Sequence, residues 1–148
     1  MAEKKKDGVA KLFIRASSYY IFSNKRKRSS HKNDHRLELI GGQIESGESP
    51  LEALIREVGE EELSRIIAAK TKKQFPKCKR VVVDKEDHFI FEISVNDDDF
   101  KNMRHNDRES YGFVKVEVNI IDEKDKLRTN LSRFTPKTGK IFHALELV

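Results

Sequence analysis

The element that most constrains the fold is a helix that begins at Ser49. Ser49 is predicted to be its N-cap, Pro50 occupies the first helical position, and Glu52 completes a capping box. Apolar residues then recur at the spacing of one helical face, at Leu51, Leu54, Ile55 and Val58. Because such a stripe must be buried, we expect the helix to dock on a sheet.

Strand-like segments lie on both sides of this helix. Residues 9–14 and 19–22 are rich in β-branched and aromatic side chains and predict a hairpin or a bent strand. Residues 36–42 predict a short strand ending at a glycine pair, where the backbone can approach a ligand closely. Further segments predict a hairpin over 78–83 and 89–95, a strand over 111–121, and a closing helix over 136–148. The chain is therefore expected to contain both strands and helices.

Residues 24–35 contain five Lys or Arg side chains and no apolar residue, which predicts a loop. A solvated basic loop and a phosphate-contacting loop are both compatible with this composition. The formal net charge of +5 favours anionic partners. We therefore treat Arg26, Arg28 and Arg36 as candidate substrate-binding residues.

The length of 148 residues suits a single domain spanning 1–148, in which we expect residues 1–8 to be disordered. Cys78 is the only cysteine, which excludes an intramolecular disulfide and favours a reducing compartment, with the cytoplasm preferred. No apolar stretch near the charged N-terminus resembles a signal peptide or a membrane span, so no membrane association is expected.

Three glutamates on the predicted helix carry the chemistry. Glu57, Glu60 and Glu61 are spaced i, i+3 and i+4, so they lie within an arc of about 100°. Their mutual repulsion disfavours the helix alone, and a bound cation reverses that effect. Carboxylate clusters suit Mg²⁺ or Mn²⁺, ions that also bridge phosphates. The alternative is a solvated acidic face without a ligand.

The spacing around these glutamates resembles the Nudix box, G-x5-E-x7-R-E-U-x-E-E-x-G-U, in which U is aliphatic. The matching residues are Gly42, Glu48, Arg56, Glu57, Val58, Glu60 and Glu61. Three positions depart from the pattern: Leu63 replaces the final glycine, Ser64 the following aliphatic residue, and Ile40 the proline often found before the glycine pair. Leu63 suggests that the helix continues through residues 65–67.

The resemblance implies an α/β (α+β) fold, namely an α/β/α sandwich with a mixed sheet and a loop–helix cradle. It also implies hydrolysis of a nucleoside diphosphate linked to another moiety. It implies that the metal is held by the Gly41 carbonyl, Glu57, Glu60 and Glu61. Glu48 would bind through water or hold Arg56, which would orient the carboxylates. Glu60, Glu61 and Arg56 would thus serve catalysis. The general base is left open between a box glutamate and a later acidic residue, 97–99 or Glu109, with Glu109 preferred.

Other functions remain open at this stage. The first is a catalytically weak Nudix-fold module that binds nucleotide or RNA phosphates. The second is a nucleic-acid-binding protein using the basic cluster at residues 25–28, although no aromatic-interleaved surface or recognition-helix pattern supports it. The expected substrate is a small anionic nucleotide derivative, and RNA is a further possibility. The sequence specifies neither the particular diphosphate nor the oligomeric state.

Overall fold

The computed structural model describes residues 8–25, 36–58, 65–74, 78–101 and 110–148. In these ranges the strands are β1 (Val9–Arg15), β2 (Tyr19–Lys25), β3 (Leu37–Glu38), β4 (Ile40–Gln43), β5 (Cys78–Val83), β6 (Glu86–Ser94) and β7 (Ser110–Glu117). The helices are α1 (Pro50–Arg56), α2 (Arg65–Gln74), α3 (Asp97–Lys101), α4 (Val118–Asp122), α5 (Lys124–Asn130) and α6 (Pro136–Ala144). Across these parts of the chain, no helix is long and apolar enough to cross a membrane.

All seven strands form one mixed sheet around β1. β1 runs parallel to β6, and the other strand pairs are antiparallel, in the order β3-β2-β1-β6-β5 with β4 also on β1 and β7 also on β2. β1 and β2 pair only at Ile14–Ile21 and Arg15–Tyr20 and then diverge. The chain enters this gap, pairing first with β2 through β3 and then with β1 through β4. The single strand predicted over 36–42 is therefore two short strands that cross the gap at Leu39.

Both faces of the sheet are covered by apolar clusters. The α1 face comprises residues such as Leu12, Ile14 and Ile93, which are packed with Leu54 and Val58 of α1 and its following turn. On the opposite face, which we call the aromatic face, helices α4, α5 and α6 cover a cluster that includes Phe13, Phe22, Phe134 and Phe142. Helices thus lie on both faces of the mixed sheet, which confirms the predicted α/β/α sandwich.

The hairpin predicted over 78–95 is present with a tighter turn. β5 has the predicted bounds, while β6 begins three residues earlier, at Glu86. Asp84 and Lys85 have positive φ angles of 52° and 64°. Two consecutive residues with positive φ form a two-residue turn whose twist matches that of the flanking strands. The connection therefore needs only Asp84 and Lys85.

The strand predicted over 111–121 is too long. β7 ends at Glu117, where the Val118 amide donates to the Ser18 carbonyl at 3.1 Å, and residues 118–122 form α4. Continued as a strand, Val118 and Ile121 would point to opposite faces. As a helix they lie three residues apart on one side and both join the aromatic face, with Ile121 1% exposed. Helical spacing therefore buries Ile121 and partly buries Val118.

Helices α3 and α5 were not predicted. α3 begins with three aspartates and α5 has one buried apolar residue, Leu127. Neither segment carries the repeated apolar stripe on which helix prediction depends. Residues 65–67 are helical in α2. The predicted continuation of the first helix into them depends on residues 59–64, which lie outside the described residues, so it stays a prediction. Residues 1–7 also lie outside them, while the Gly8 carbonyl accepts from the Ile44 amide at 2.9 Å.

Candidate active site

The start of α1 has the predicted capping box. The Glu52 amide donates to Ser49 Oγ at 3.1 Å, and the Ser49 amide donates to a Glu52 carboxylate oxygen at 3.2 Å. The apolar stripe then docks on the sheet, with Leu54 and Val58 fully buried. After Arg56 the helix widens into a π-type turn at residues 57–58, and the Glu57 amide points to the carbonyls of Ala53 and Leu54. The cap and the stripe together fix the direction of Glu57.

Glu57 is only 8% exposed, and its carboxyl group lies against Gly42. A Cβ atom added to Gly42 would lie 2.5 Å from Glu57 Cδ and 2.8 Å from Oε2, so any side chain at this position requires the carboxyl group to move. Gly41 has a φ of +139°, and a Cβ there would collide with the backbone of Ala10. Glycine is therefore needed at the two positions for different reasons: Gly41 allows β4 to lie against β1, and Gly42 leaves space for the Glu57 carboxylate.

Arg56 connects the helix to the chain that precedes it. Its Nε and Nη2 donate to the two carboxylate oxygens of Glu48 at 2.9 and 3.1 Å, a bidentate pair. Nη2 also donates to the Gln43 carbonyl at 3.0 Å, and Nη1 donates to Glu57 Oε1 at 3.3 Å. One guanidinium thus holds β4, the loop before α1 and the buried carboxylate in a fixed arrangement.

The charges in this network reinforce one another. The hydrogen bond from Arg56 lowers the pKa of Glu48, and the backbone amide of Glu45, 2.8 Å away, lowers it further. The same Arg56–Glu48 hydrogen bond, with the charges of Glu48, Glu57 and Glu45, raises the pKa of Arg56. Arg56 and Glu48 are consequently both ionised at neutral pH.

Glu48 was predicted either to bind a metal through water or to hold Arg56, and its contacts match the second role. Both of its oxygens accept from Arg56, and one also accepts from the Glu45 amide. A direct or water-mediated bond from Glu48 to a metal remains a prediction. Gln43 and Glu45 were missed from the sequence because they act here through the Gln43 carbonyl and the Glu45 amide, and backbone groups leave no signal in residue type.

Several predicted site residues lie outside the described part of the chain: Glu60, Glu61, Glu109, Arg26 and Arg28. Arg36 is described and directly precedes β3, at the gap between β1 and β2. Among the described residues, no group of three or more His, Cys, Asp or Glu side chains is placed to hold a metal ion. Of the three predicted carboxylate ligands, these residues include only Glu57.

The aspartates at 97–99 lie at the other end of the sheet. Gly42 pairs with Ala10 near the start of β1, whereas Ser94, just before these aspartates, pairs with Arg15 at its end. Five residues of strand separate these levels by about 17 Å. Asp99 is also paired with Lys70 at 3.0 Å and accepts from the Asn96 amide. This placement removes residues 97–99 as candidates for the general base.

Comparison with known proteins identifies the family. The NUDIX domain family model matches residues 8–137. A solved NUDIX-family hydrolase from Clostridium perfringens is similar at 19% identity and a TM-score of 0.55, over 97% of this chain and 99% of that chain. The MutT protein from Methanosarcina mazei Go1 is similar at 16% identity and a TM-score of 0.54, over 98% and 96%. A search of curated proteins gave no match.

A third solved structure is a bifunctional NMN adenylyltransferase/ADP ribose pyrophosphatase from Francisella tularensis, complexed with AMP and a Mn ion. It is 12% identical, with a TM-score of 0.59, over all of this chain and 44% of that chain. These likenesses concern the fold, while the family match spans most of the sequence. The prediction of a Nudix-type hydrolase is therefore confirmed at the level of the family. With the box residues Gly42, Glu48, Arg56 and Glu57 assembled at one place, the chain belongs to the Nudix domain family.

Proposed function

We propose that this protein is a metal-dependent pyrophosphohydrolase that cleaves a nucleoside diphosphate linked to another moiety, by attack of water on phosphorus. The observation that carries the proposal is the Glu57 carboxylate, 8% exposed and held between Gly42 and Arg56. Carboxylates are seldom buried unless they are paired or bind a metal. Arg56 donates to Glu57 Oε1 at 3.3 Å, and this contact orients the carboxylate beside Gly42.

The residues of the box fit a hard divalent cation, Mg²⁺ or Mn²⁺, because they offer oxygen donors only. Glu57, Glu60, Glu61 and the Gly41 carbonyl would hold the ion, and Glu48 would join them through Arg56 or a water. When bound, the ion would neutralise the diphosphate and lower the pKa of a coordinated water. The Mn ion in the Francisella tularensis structure supports this choice of metal.

The protein's own residues would position the reacting groups. Arg56 fixes Glu57 through its bonds to Glu48 and Gln43, so the carboxylate is oriented before substrate arrives. Gly42 keeps the space beside it clear of side chains. Arg26, Arg28 and Arg36 would bind substrate phosphates, and Glu109 or a box glutamate would accept the proton of the attacking water.

The proposed substrate is a small anionic nucleotide derivative. A neighbour described as an ADP ribose pyrophosphatase, complexed with AMP, supports a nucleotide. The net charge of +5 supports a substrate with several phosphates, and capped or 5′-phosphorylated RNA belongs in the same test. A cytoplasmic location would supply such substrates.

A panel of nucleoside diphosphate derivatives, assayed with and without Mg²⁺, tests the proposal. We expect metal-dependent cleavage of at least one member, reduced at least about 100-fold in Glu57→Gln. The matched control is Glu123→Gln, which removes an exposed carboxylate that pairs with Lys126. Full activity in Glu57→Gln would remove the metal assignment. Absence of cleavage, with salt-sensitive phosphate binding that survives Glu57→Gln, would indicate the binding module instead.

A further inference from the structure

A second site lies on the aromatic face, on the side of the sheet opposite α1. It is a cavity of about 340 Å³ between the sheet and the chain that covers it. Its apolar lining comes from Phe13, Tyr20 and Ile90 of the sheet, Ile121 of α4, and Leu145 and Leu147 after α6. Small-molecule pockets in proteins begin at about 300 Å³ and are mostly apolar. The cavity therefore has the size and the lining of a small-ligand site.

The aromatic part of this lining is fixed. The rings of Phe13 and Tyr20 meet edge to face at 5.6 Å between centroids. The Tyr20 hydroxyl donates to Asp122 at 2.9 Å and accepts from Arg15 at 2.8 Å. Because that hydroxyl already has both partners, Tyr20 presents its ring to the cavity. A ligand would meet a preformed apolar wall here.

Two opposite charges complete the lining, Lys79 on β5 and Glu92 on β6. Lys79 pairs with Ile90 in the β5–β6 ladder, and Glu92 follows Ile90 by two residues on the same face. Diagonal neighbours of this kind are about 7–8 Å apart. Both side chains are exposed, and within the described parts of the chain neither side chain forms a hydrogen bond or an ion pair. A donor, the Lys79 ammonium group, and an acceptor, the Glu92 carboxylate, thus lie side by side above an apolar cavity.

We infer that this cavity binds a free α-amino acid with an apolar side chain. The ammonium group would pair with Glu92, the carboxylate with Lys79, and the side chain would enter the space beside Phe13 and Ile121. A free α-amino acid carries both charges on one carbon, so it fits between two charges one diagonal step apart. A peptide lacks one of the two charges at either end. The site is independent of the hydrolase, because its residues belong to the opposite face of the sheet.

Calorimetric titration with L-phenylalanine and L-leucine tests this inference on the full-length protein. We expect both to bind, glycine to bind far more weakly, and N-acetyl-L-phenylalanine and L-phenylalaninamide to lose about tenfold in affinity, since each lacks one charge. The amide resonances of Ile121 and Leu147 should shift on titration. If neither L-phenylalanine nor L-leucine bound at about 10 mM, the proposed site would be overturned.

Charge variants separate the two contacts. Glu92→Gln should weaken L-phenylalanine about tenfold without further weakening its N-acetyl derivative, and Lys79→Met should do the same relative to the amide. Both side chains are exposed, so folding is retained. Lys72→Met, an exposed lysine on α2, is the control and should bind normally. Equal affinities in all three variants, or equal binding of the blocked derivatives, would contradict the proposed ligand.

Discussion

Replacing Gly42 with alanine tests how the active site is built. The added Cβ would lie 2.5 Å from Glu57 Cδ, whereas carbon atoms in contact are normally about 3.5 Å apart. The carboxyl group, or β4, must therefore move by about 1 Å. A displacement of that size at a catalytic group can cost about 100-fold in rate. The overpacking itself should destabilise the fold by about 1–3 kcal/mol.

We therefore expect Gly42→Ala to lower kcat/KM about 100-fold and to weaken Mn²⁺ binding, while the melting temperature falls by about 2–4 °C per kcal/mol lost. Metal binding can be followed by electron paramagnetic resonance, which needs no substrate. The control is Gly139→Ala in α6, where the nearest atom to the new Cβ is Leu131 Cδ2 at 3.9 Å. This variant should keep activity and, as a helical alanine, gain up to about 1 kcal/mol.

A second substitution separates the clash from a general loss of structure. Glu57→Asp shortens the side chain by one methylene group, so in a Gly42→Ala background it should relieve the contact. The double variant should then bind Mn²⁺ better than the product of the two single effects predicts. Wild-type metal affinity in Gly42→Ala would refute the contact between Gly42 and the carboxylate. Strictly additive effects in the double variant would refute the steric explanation.

Three further predictions concern Arg56, the N-cap of α1 and Tyr20 on the aromatic face. Arg56→Lys keeps the charge but loses the bidentate pair with Glu48, so it should cost about 1–2 kcal/mol in chemical denaturation and weaken Mn²⁺ binding. Unchanged metal affinity would show that Arg56 does not orient the site. Ser49→Ala removes the cap and should cost about 1 kcal/mol, whereas Ser49→Asp should retain most of the stability; equal losses would argue against the cap. Burial, with the hydrogen bond to Asp122, raises the pKa of Tyr20 to about 12 from 10.0. Since the folded value is the higher one, this stabilisation is complete below pH 10 and is lost as pH rises through 12, so Tyr20→Phe should flatten that part of the stability–pH curve.

The elements predicted correctly from the sequence are those whose formation depends on residues adjacent to one another in the chain. The start of α1 follows from Ser49, Pro50 and Glu52, and all three do in the structure what their types predict. β5 follows from its own β-branched run. The two-strand path through 37–43 depends instead on β1 and β2 diverging beyond the Ile14–Ile21 pair. No local pattern in residues 36–42 contains that information.

The same distinction holds within the site. The pairing of Arg56 with Glu48 was predictable because both residues belong to one spaced motif, and the structure gives it as a bidentate contact. The contribution of Gln43 was not predictable, because its carbonyl reaches Arg56 only when β4 lies beside β1. The exclusion of residues 97–99 likewise required the register between β1 and β6. The residue types of the site could thus be predicted from the sequence, whereas the distances between groups on different strands could not.

The position of Glu57 beside Gly42 therefore depends on both the start of α1 and the strand register between β1 and β4. The capping box sets how far along α1 the carboxylate lies, and the pairing of Ala10 with Gly42 sets which residue of β4 faces it. Side chains alternate along a strand, so a slip of β4 by one residue would bring Gly41 or Gln43 opposite Ala10. Gln43 would place a side chain where the carboxylate lies, and Gly41 would lose the position for which its φ of +139° is suited. Arg56 stabilises both, since it donates to the Gln43 carbonyl on β4 and to Glu48 before α1. Its guanidinium consequently contributes to the geometry of the site even without contacting substrate.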